Sequence, residues 1–432
     1  MRAWSSMKRC VGAVLVASAV PVAVAAQAVA VQPPPSTRIS MGDAVRLALE
    51  HNHLLRAQRL NVDLSKADEI TAALKPNPVF TSTNENFPIF APTDLFSWDN
   101  LTNNQNFVES VSYLFERGGK REKRTLVARD STDVTAKTTA DAGRQLIFQT
   151  SQAFINVLLA KSSLDLAQEN LKNFSNVVDV NRERLRAGDL AEADFFKISL
   201  QKLQFEQDVS SAEVALVLAK AALRQNVGFE GVAETFDVEG DLAYAKYTVA
   251  LEDLKRDALD ARPDLRAARS GIKLAEDTQA LAYSNRARDI AGGVEYDRAG
   301  PLNALGFSIS VELPIHDRNQ GNIARAKVGL LQAAEAESGA RTGVITDVVS
   351  AYATFQTSQK VLGLFESGYL NQAKQSLDIT TYVYQRGSGT LLDLLDAERT
   401  YRTTQLAYRQ ALAAYMTSVQ QINFAVGRQV MP

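Results

Sequence analysis

Cysteine and histidine are almost absent from this chain of 432 residues, which has one cysteine and three histidines. Cys10 lies near the N-terminus, and His51, His53 and His316 are scattered. This composition excludes a disulfide scaffold, a structural zinc module and a catalytic thiol. No Ser-His-Asp arrangement, phosphate-binding loop or catalytic carboxylate pair has supporting local context. We therefore predict a protein that is not an enzyme, with no cofactor and no resident metal.

A strong charge of either sign is also missing. Lys and Arg number 47 and Asp and Glu 49, which leaves a formal net charge of -2. Because nucleic-acid binders present strongly basic surfaces, this balance predicts no nucleic-acid partner. After residue 30, no stretch approaches the roughly 18 uninterrupted apolar residues of a spanning helix. If the mature chain meets a membrane, it does so with strands.

The first 30 residues have the layout of a cleaved secretory signal. Basic residues precede an apolar run from Val11 to Val24, and small residues follow it. A membrane anchor is the alternative, although the run is short for a spanning helix. Cys10 precedes the apolar core, so it is not placed to carry a lipid. Cleavage removes three positive charges, which takes the net charge from -2 to -5.

Proline is missing from residues 93–262 and 315–431. Because proline breaks helix interiors, these gaps permit very long helices. Between Lys120 and Ala187, apolar residues recur every seven positions, with a second set three positions further on, as in a seam between packed helices. The two sets are Val157, Leu164, Leu171 and Val178, and Ala160, Ala167 and Phe174. At about 1.5 Å per residue, a continuous helix over this range approaches 100 Å.

The chain repeats itself. A shift of 210 positions places Asp43 and Arg46 on Asp253 and Arg256, and a shift of 199 places Gly188 on Gly387. The sequence therefore predicts a signal (1–30), a linker (31–38), and two tandem repeats (39–240 and 241–432).

Each repeat is predicted to contain two shorter helices, a strand pair, a very long helix, a glycine turn and a second long helix. The shorter helices cover 40–74 and 251–286, and the hairpins turn at Gly188 and at Gly387 with Gly389. Two residue pairs at the starts of the second long helices have capping-box spacing. They are Asp189 with Glu192, and Thr390 with Asp393.

Alternating apolar and polar residues predict four strands. Phe307 to Leu313 alternates without a fault, Ile290 to Asp297 more weakly, and Phe107 to Phe115 is interrupted by Glu109. Val79 to Phe87 alternates poorly. Residues 87–106 and 298–306 are predicted to be loops. A small soluble sheet beside a helical bundle is the alternative, and since about eight strands are the minimum for a membrane barrel, a spanning role requires several chains to share one.

Together these features resemble the TolC-like outer membrane efflux factors, over residues 39 to 427. The matching segments are 43–49, 258–265 and 387–397, which reads Gly-Ser-Gly-Thr-Leu-Leu-Asp-Leu-Leu-Asp-Ala. The resemblance implies a mainly α fold with a small β-barrel contribution. It also implies a homotrimer in the outer membrane lipid of a Gram-negative bacterium, with a large periplasmic part built from the helical hairpins.

The partners implied are a periplasmic adaptor and an inner-membrane pump, with the chain acting as a passive exit duct. Residues 313–326, from a strand to a helix, are similar to the junction in the subunits of heavy-metal cation efflux systems, which makes metal cations the expected cargo. An organic-solute or multidrug duct of the same family, a periplasmic coiled-coil adaptor or scaffold, and a secreted enzyme are the alternatives.

The resemblance also implies aperture residues. Asp393 and Asp396 lie three apart on one helix face and match positions that ring the periplasmic entrance. The alternative is that both only complement the helix N-terminus. Tyr384 looks like the family's constriction tyrosine and Asp194 like its acidic partner. Gly389 occupies the place of a gating arginine in the best-known member.

We predict that the signal is removed between about Ala25 and Val31, because small residues suited to cleavage follow the apolar run there. Mass spectrometry of the membrane-bound chain should find a mature N-terminus in this range. Recovery of an intact N-terminus from Met1 to Ala30 would contradict the prediction.

Overall fold

The computed structural model describes residues 36–85 and 106–431. The predicted signal, most of the linker and residues 87–105 of the predicted loop lie outside the described residues. The helices are α1 Met41–His51, α2 His53–Ala73, α3 Lys120–Ala187, α4 Glu192–Val227, α5 Leu251–Ala261, α6 Pro263–Ser284, α7 Gln320–Leu364, α8 Leu370–Gln385 and α9 Leu391–Val426. The strands are β1 Ser36–Ile39, β2 Val79–Glu85, β3 Asn106–Phe115, β4 Val232–Val238, β5 Ile290–Ala299 and β6 Leu302–Val311.

The long helix predicted between Lys120 and Ala187 is confirmed, since α3 is one helix of 68 residues. It ends at Gly188, whose φ of 82° lies in the left-handed region that glycine adopts without strain. In the second repeat the corresponding helix is interrupted. A π-helical turn, Phe365–Tyr369, separates α7 from α8, and Gly368 within it has a φ of 121°. The long helix is therefore continuous in the first repeat and broken at Gly368 in the second.

The four strands that the alternation predicts form one antiparallel sheet, in the order β2-β3-β5-β6. Directly paired residues share a face, so Phe80, Val111, Val294 and Phe307 form one row across all four strands. All four are at least half exposed. The neighbouring row on the opposite face is polar: Thr81, Ser110, Glu295 and Gly306. The sheet thus has one apolar and one polar face.

The predicted loop 298–306 is wrong. β5 continues to Ala299 and β6 begins at Leu302, and these two residues pair. Gly300 has a φ of 58°, which allows the chain to reverse within Gly300-Pro301. The polar residues on either side stay in the strands because their backbone groups complete the ladder.

The helices continue the order of the sheet in two further layers. We call β2-β3-β5-β6 the strand layer. In the upper helix layer, α3 packs between α2 and α6, and α6 packs against α7. In the lower helix layer, α3 packs between α4 and α9, and α9 packs against α8. Each layer has four elements, and within residues 36–85 and 106–431 each end element packs against one other member of its own layer, while α7 also packs against α5 and α9.

The junctions between the short helices hold the ends of the hairpins in the same way in both repeats. Asn52, between α1 and α2, donates from Nδ2 to Asn226 O at 2.9 Å. Arg262, between α5 and α6, donates from Nη1 to Ala425 O at 3.3 Å. These positions correspond under the sequence shifts of 210 and 199, so the duplication is visible in individual hydrogen bonds.

A small parallel pair, β1 with β4, packs beside this region and was not predicted. Ile39 of β1 and Phe236 of β4 are buried against Phe154 of α3. The sheet therefore fastens the start of the first repeat to the long helix.

None of the helices within residues 36–85 and 106–431 combines the length and the hydrophobicity that a membrane span needs.

We predict that Arg262→Met lowers the free energy of unfolding by about 2 kcal/mol. The guanidinium is 5% exposed and pairs with Asp264 at 2.6 Å and Asp347 at 2.8 Å, so its loss leaves two carboxylates uncompensated. Asp347 is half exposed, which keeps the loss below that of a fully buried pair. Urea unfolding followed by circular dichroism measures it. Arg256→Met is the control, because that exposed pair with Asp253 contributes at most about 1 kcal/mol.

The effect of Arg262→Met should also depend on pH. Burial alone would raise the pKa of Asp264, but the hydrogen bonds and charge of Arg262 outweigh burial and hold that pKa below 3.8. A lowered carboxyl pKa stabilises the fold above the unfolded-state pKa, and this stabilisation is lost as pH falls through the folded-state pKa. The difference between wild type and variant should therefore narrow below pH 3.8. An equal difference at neutral and acid pH would contradict this account of the pair.

Candidate functional site

The tips of the two helical hairpins pack together at the end of the lower helix layer. Phe174 and Val178 of α3 and Ile198 and Phe205 of α4 form a buried cluster. The Phe174 and Phe205 rings stack with centroids 4.6 Å apart. Leu391 and Leu395, at the start of α9, pack against this cluster. The second hairpin is thereby fixed to the first by an apolar contact just above its turn.

Tyr384 makes the polar contact between the same two hairpins. Its hydroxyl, on α8, donates to Asn181 Oδ1, on α3, at 2.8 Å, and both side chains are buried. Asn181 Nδ2 in turn donates to Val177 O at 2.8 Å. Burial raises the pKa of Tyr384, with Arg184 opposing the shift and Asp194 adding to it. The hydroxyl therefore stays protonated and acts as a donor at neutral pH.

Asp194 lies near Tyr384 but binds elsewhere within the chain. Its carboxylate pairs with Lys197 at 2.9 Å, one turn along α4. The Arg184 guanidinium lies 5.4 Å from the centroid of the Tyr384 ring. The structure thus brings Tyr384 to Asn181, a residue that the sequence did not single out. Its place seven residues before Gly188 on the apolar face of α3 was the only available signal.

Both hairpin turns depend on glycine. Gly188 and Gly387 have positive φ values of 82° and 73°. Gly389 is required for a different reason, since a Cβ there would lie 3.1 Å from Tyr384 N and 3.3 Å from Tyr384 Cα. The turn therefore closes tightly over the backbone of the tyrosine that contacts the first hairpin.

The start of α9 carries the predicted pair of aspartates. Thr390 caps this helix, accepting from Asp393 N at 3.1 Å, while its hydroxyl donates to Asp393 Oδ2 at 2.6 Å. The capping predicted for Thr390 is confirmed. Asp396 is exposed and has no ion pair or hydrogen bond within the described residues. Two carboxylates thus project from one exposed helix face, and among the described residues no cation pairs with either of them.

The capping box predicted for the first hairpin is wrong. α4 begins at Glu192 after Ala191, and no side chain caps it. Asp189 instead belongs to the turn, where its N–H donates to Arg184 O at 2.8 Å. The glycine closure at Gly188 places Asp189 too early to cap the next helix.

The histidines lie far from the hairpin tips. His51 and His53 flank Asn52 at the junction of α1 and α2, so the segment is a turn between two helices. His53 contacts Glu230 at 3.2 Å. In the part of the chain that the structure describes, no three His, Cys, Asp or Glu side chains are grouped closely enough to hold a metal ion.

Comparison with known proteins places this geometry in context. Residues 254–428 match the family model described as outer membrane efflux protein. The cobalt-zinc-cadmium resistance protein CzcC of Cupriavidus metallidurans is 22% identical over 90% of both chains. The outer membrane protein TolC of Vibrio cholerae is 25% identical over 65% of this chain and 67% of its own.

The fold has close structural neighbours. A crystal structure of CusC, described in terms of folding and transmembrane channel formation, matches with a TM-score of 0.72. The match covers 92% of this chain and 95% of that chain at 19% identity. The predicted fold class, mainly helical with a small sheet and two repeats, is confirmed.

We predict that Tyr384→Phe loosens the contact between the hairpins. The variant leaves the buried Asn181 Oδ1 without its donor, so we expect a loss of about 1.4 kcal/mol of local stability and about tenfold faster amide exchange in α8. Hydrogen exchange with mass spectrometry measures it. Tyr382→Phe is the matched control, since that side chain is exposed on the same helix. Equal protection in both variants would show that the hydroxyl does not hold the tips together.

Proposed function

We propose that this chain, whose residues 254–428 match the outer membrane efflux protein family, is the outer-membrane channel of a tripartite efflux system and a passive exit duct for heavy-metal cations. It performs no catalysis, and an inner-membrane pump supplies the energy. A periplasmic adaptor joins the two. The observation that carries the proposal is the strand layer followed by two helix layers in the same order, with β2 and β6 unpaired on their outer edges among the described residues.

The apolar face of the strand layer supports a membrane location. Phe307 and Ile309 are both 82% exposed, and Leu305 is 72% exposed beside them. A contiguous exposed apolar surface of this kind is typical of contact with lipid or with another protein. The opposite face carries Glu295 and Asp297, which suit a water-filled lumen.

The open edges support a trimer. Four strands are too few to close a membrane sheet, and three copies supply twelve. The edge helices carry exposed apolar side chains. These are Leu60, Leu64 and Ile70 on α2, Val328 and Leu331 on α7, Leu200 and Val217 on α4, and Ile379 on α8. One rotation of the chain about a threefold axis joins the outer edges in all three layers.

The acidic hairpin tips support cation transport. In a trimer, Asp393 and Asp396 from three chains surround the periplasmic entrance, where a narrow ring of carboxylates raises the local cation concentration. Asp194 and Tyr384 lie on the neighbouring helices of the same constriction. The likeness to CzcC over 90% of both chains favours metal cations over organic solutes as cargo.

Replacing both Asp393 and Asp396 by Asn tests the ring. This change keeps side-chain size and removes the charge, so reconstituted channels should lose cation preference while the trimer persists. Single-channel reversal potentials under a salt gradient measure the preference. Glu234→Gln with Glu239→Gln is the control, because it removes the same charge from exposed positions at and just after β4.

An unchanged reversal potential in the trimeric aspartate variant would count against the ring. In that case the two aspartates serve only to complement the start of α9, and their replacement costs about 1 kcal/mol of local stability.

A further inference from the structure

Four short segments lie where the strand layer meets the upper helix layer: 74–78, 116–124, which includes the first five residues of α3, 284–289, which begins with the last residue of α6, and 312–319. Together they contain nine Lys or Arg and five Asp or Glu residues. The chain without its first 30 residues is net negative, so this one level of the molecule has the opposite charge from the whole.

Hydrogen bonds and ion pairs tie each segment to the next. In order across the layer they are Arg124 Nη2 to Leu74 O (3.1 Å), Arg117 N to Asp289 Oδ1 (2.9 Å) and Arg288 Nη1 to Glu312 Oε2 (2.9 Å). The four segments therefore form one continuous band across the chain.

Most acids of the band are already used. Glu116 pairs with Arg124 at 2.7 Å, and Asp289 pairs with Lys120 at 2.8 Å. Glu312 pairs with Arg288. These three carboxylates therefore neutralise only Arg124, Lys120 and Arg288, and leave the other cations of the band unpaired by them.

Five cations remain exposed, with no ion pair inside residues 36–85 and 106–431. They are Lys75, Arg117, Arg121, Arg286 and Arg318. Every segment contributes at least one of them, so positive charge runs along the whole band. They are spread along the layer and do not converge on a cavity, which suits a row of separate phosphate groups.

The band borders exposed apolar side chains on the strand side. Phe115, at the end of β3, is 55% exposed, and Leu313 and Ile315, after β6, are 70% and 65% exposed. Apolar residues at the hydrocarbon edge, with Lys and Arg directly beyond them, match the depth profile of a bilayer leaflet. The helices lie beyond this end of the strands, so the leaflet concerned is the one that faces the periplasm.

We propose that this band, the basic belt, binds the phosphate groups of anionic phospholipids in the periplasmic leaflet. The proposal rests on the proposed function, because it needs the strand layer in the membrane. On closure with two further copies the belt becomes a ring. It sets the depth of the channel in the membrane by electrostatic attraction as well as by hydrophobic match.

The test uses the full mature chain reconstituted in bilayers that contain a spin-labelled lipid, either phosphatidylglycerol or phosphatidylcholine. Electron spin resonance gives the association constant of each lipid at the protein surface. We expect phosphatidylglycerol to be favoured by about fivefold or more, with the preference falling as salt rises. Replacing all five exposed belt cations by Gln should bring the two lipids close to equal association.

The control replaces five exposed cations elsewhere that also lack ion pairs in the described chain: Arg56, Arg59, Arg341, Lys360 and Arg399. This variant should keep the preference. Equal association of the two lipids with the wild type, or equal loss in both variants, would overturn the proposal. So would a preference abolished by inorganic phosphate but kept in chloride of equal ionic strength, which would indicate a phosphate site.

The experiment distinguishes failure of the belt proposal from failure of the proposed function. If phosphatidylcholine is motionally restricted but phosphatidylglycerol is not favoured, the belt fails and the membrane location stands. If neither lipid is restricted, the proposed function fails together with the belt.

Discussion

A free strand edge cannot be buried in hydrocarbon, because each unpaired backbone N–H or C=O group there costs several kcal/mol. Within residues 36–85 and 106–431, no strand pairs with the outer edges of β2 and β6, and the apolar row through Phe80, Val111, Val294 and Phe307 is exposed beside them. A membrane location therefore requires the edges to pair with other copies. The helices have no free backbone edge, but both helix layers keep the order of the strands and carry exposed apolar side chains on their end helices, so the same pairing of copies covers them.

The surface changes in charge and polarity from the strand layer to the hairpin tips. The strand layer has an apolar face, the basic belt follows at its base, and unpaired carboxylates stand at the hairpin tips more than a helix length away. The first two levels suit lipid tails and phosphates, and the third suits cations entering from the periplasm. A chain with almost no net charge thus presents a different surface to each compartment it contacts.

Much of the fold could be predicted from local sequence patterns. The proline-free stretch and the seven-residue repeat located α3, and alternation, strict in β6 and weaker in β5, located these two strands, because both periodicities report one buried or lipid-facing side. Features that depend on long-range pairing were not predictable. The extension of β6 back to Leu302 depends on Gly300, and the parallel pairing of β1 with β4 joins residues about 200 positions apart.

The candidate site shows the same division. Thr390 and Asp393 were predictable, since a cap is decided within four residues. Asn181 was not, because its role arises only where α8 crosses α3 and brings Tyr384 to it. The interruption at Gly368 was also unpredicted, since glycines elsewhere in α7 leave the helix continuous. Whether Asp393 and Asp396 face a common aperture depends on contacts between copies, which no single chain contains.

The closure of the layers between copies is the central claim, and cysteine cross-linking tests it most directly. The mature chain has no cysteine after residue 30. Ser65 of α2 hydrogen-bonds Thr135 of α3, and nearby Lys137 of α3 bonds Ser270 of α6. Next to Ser270, Arg269 pairs with Glu337 of α7. These contacts place residues near 65 of α2 and near 337 of α7 at about the same height in the upper helix layer. Ile70 of α2 and Val328 of α7 lie near one level, both exposed. The double variant Ile70→Cys with Val328→Cys should cross-link into dimers and trimers on oxidation, and each single variant should not. A double variant that stays monomeric on a denaturing gel while its channel remains active would contradict the account.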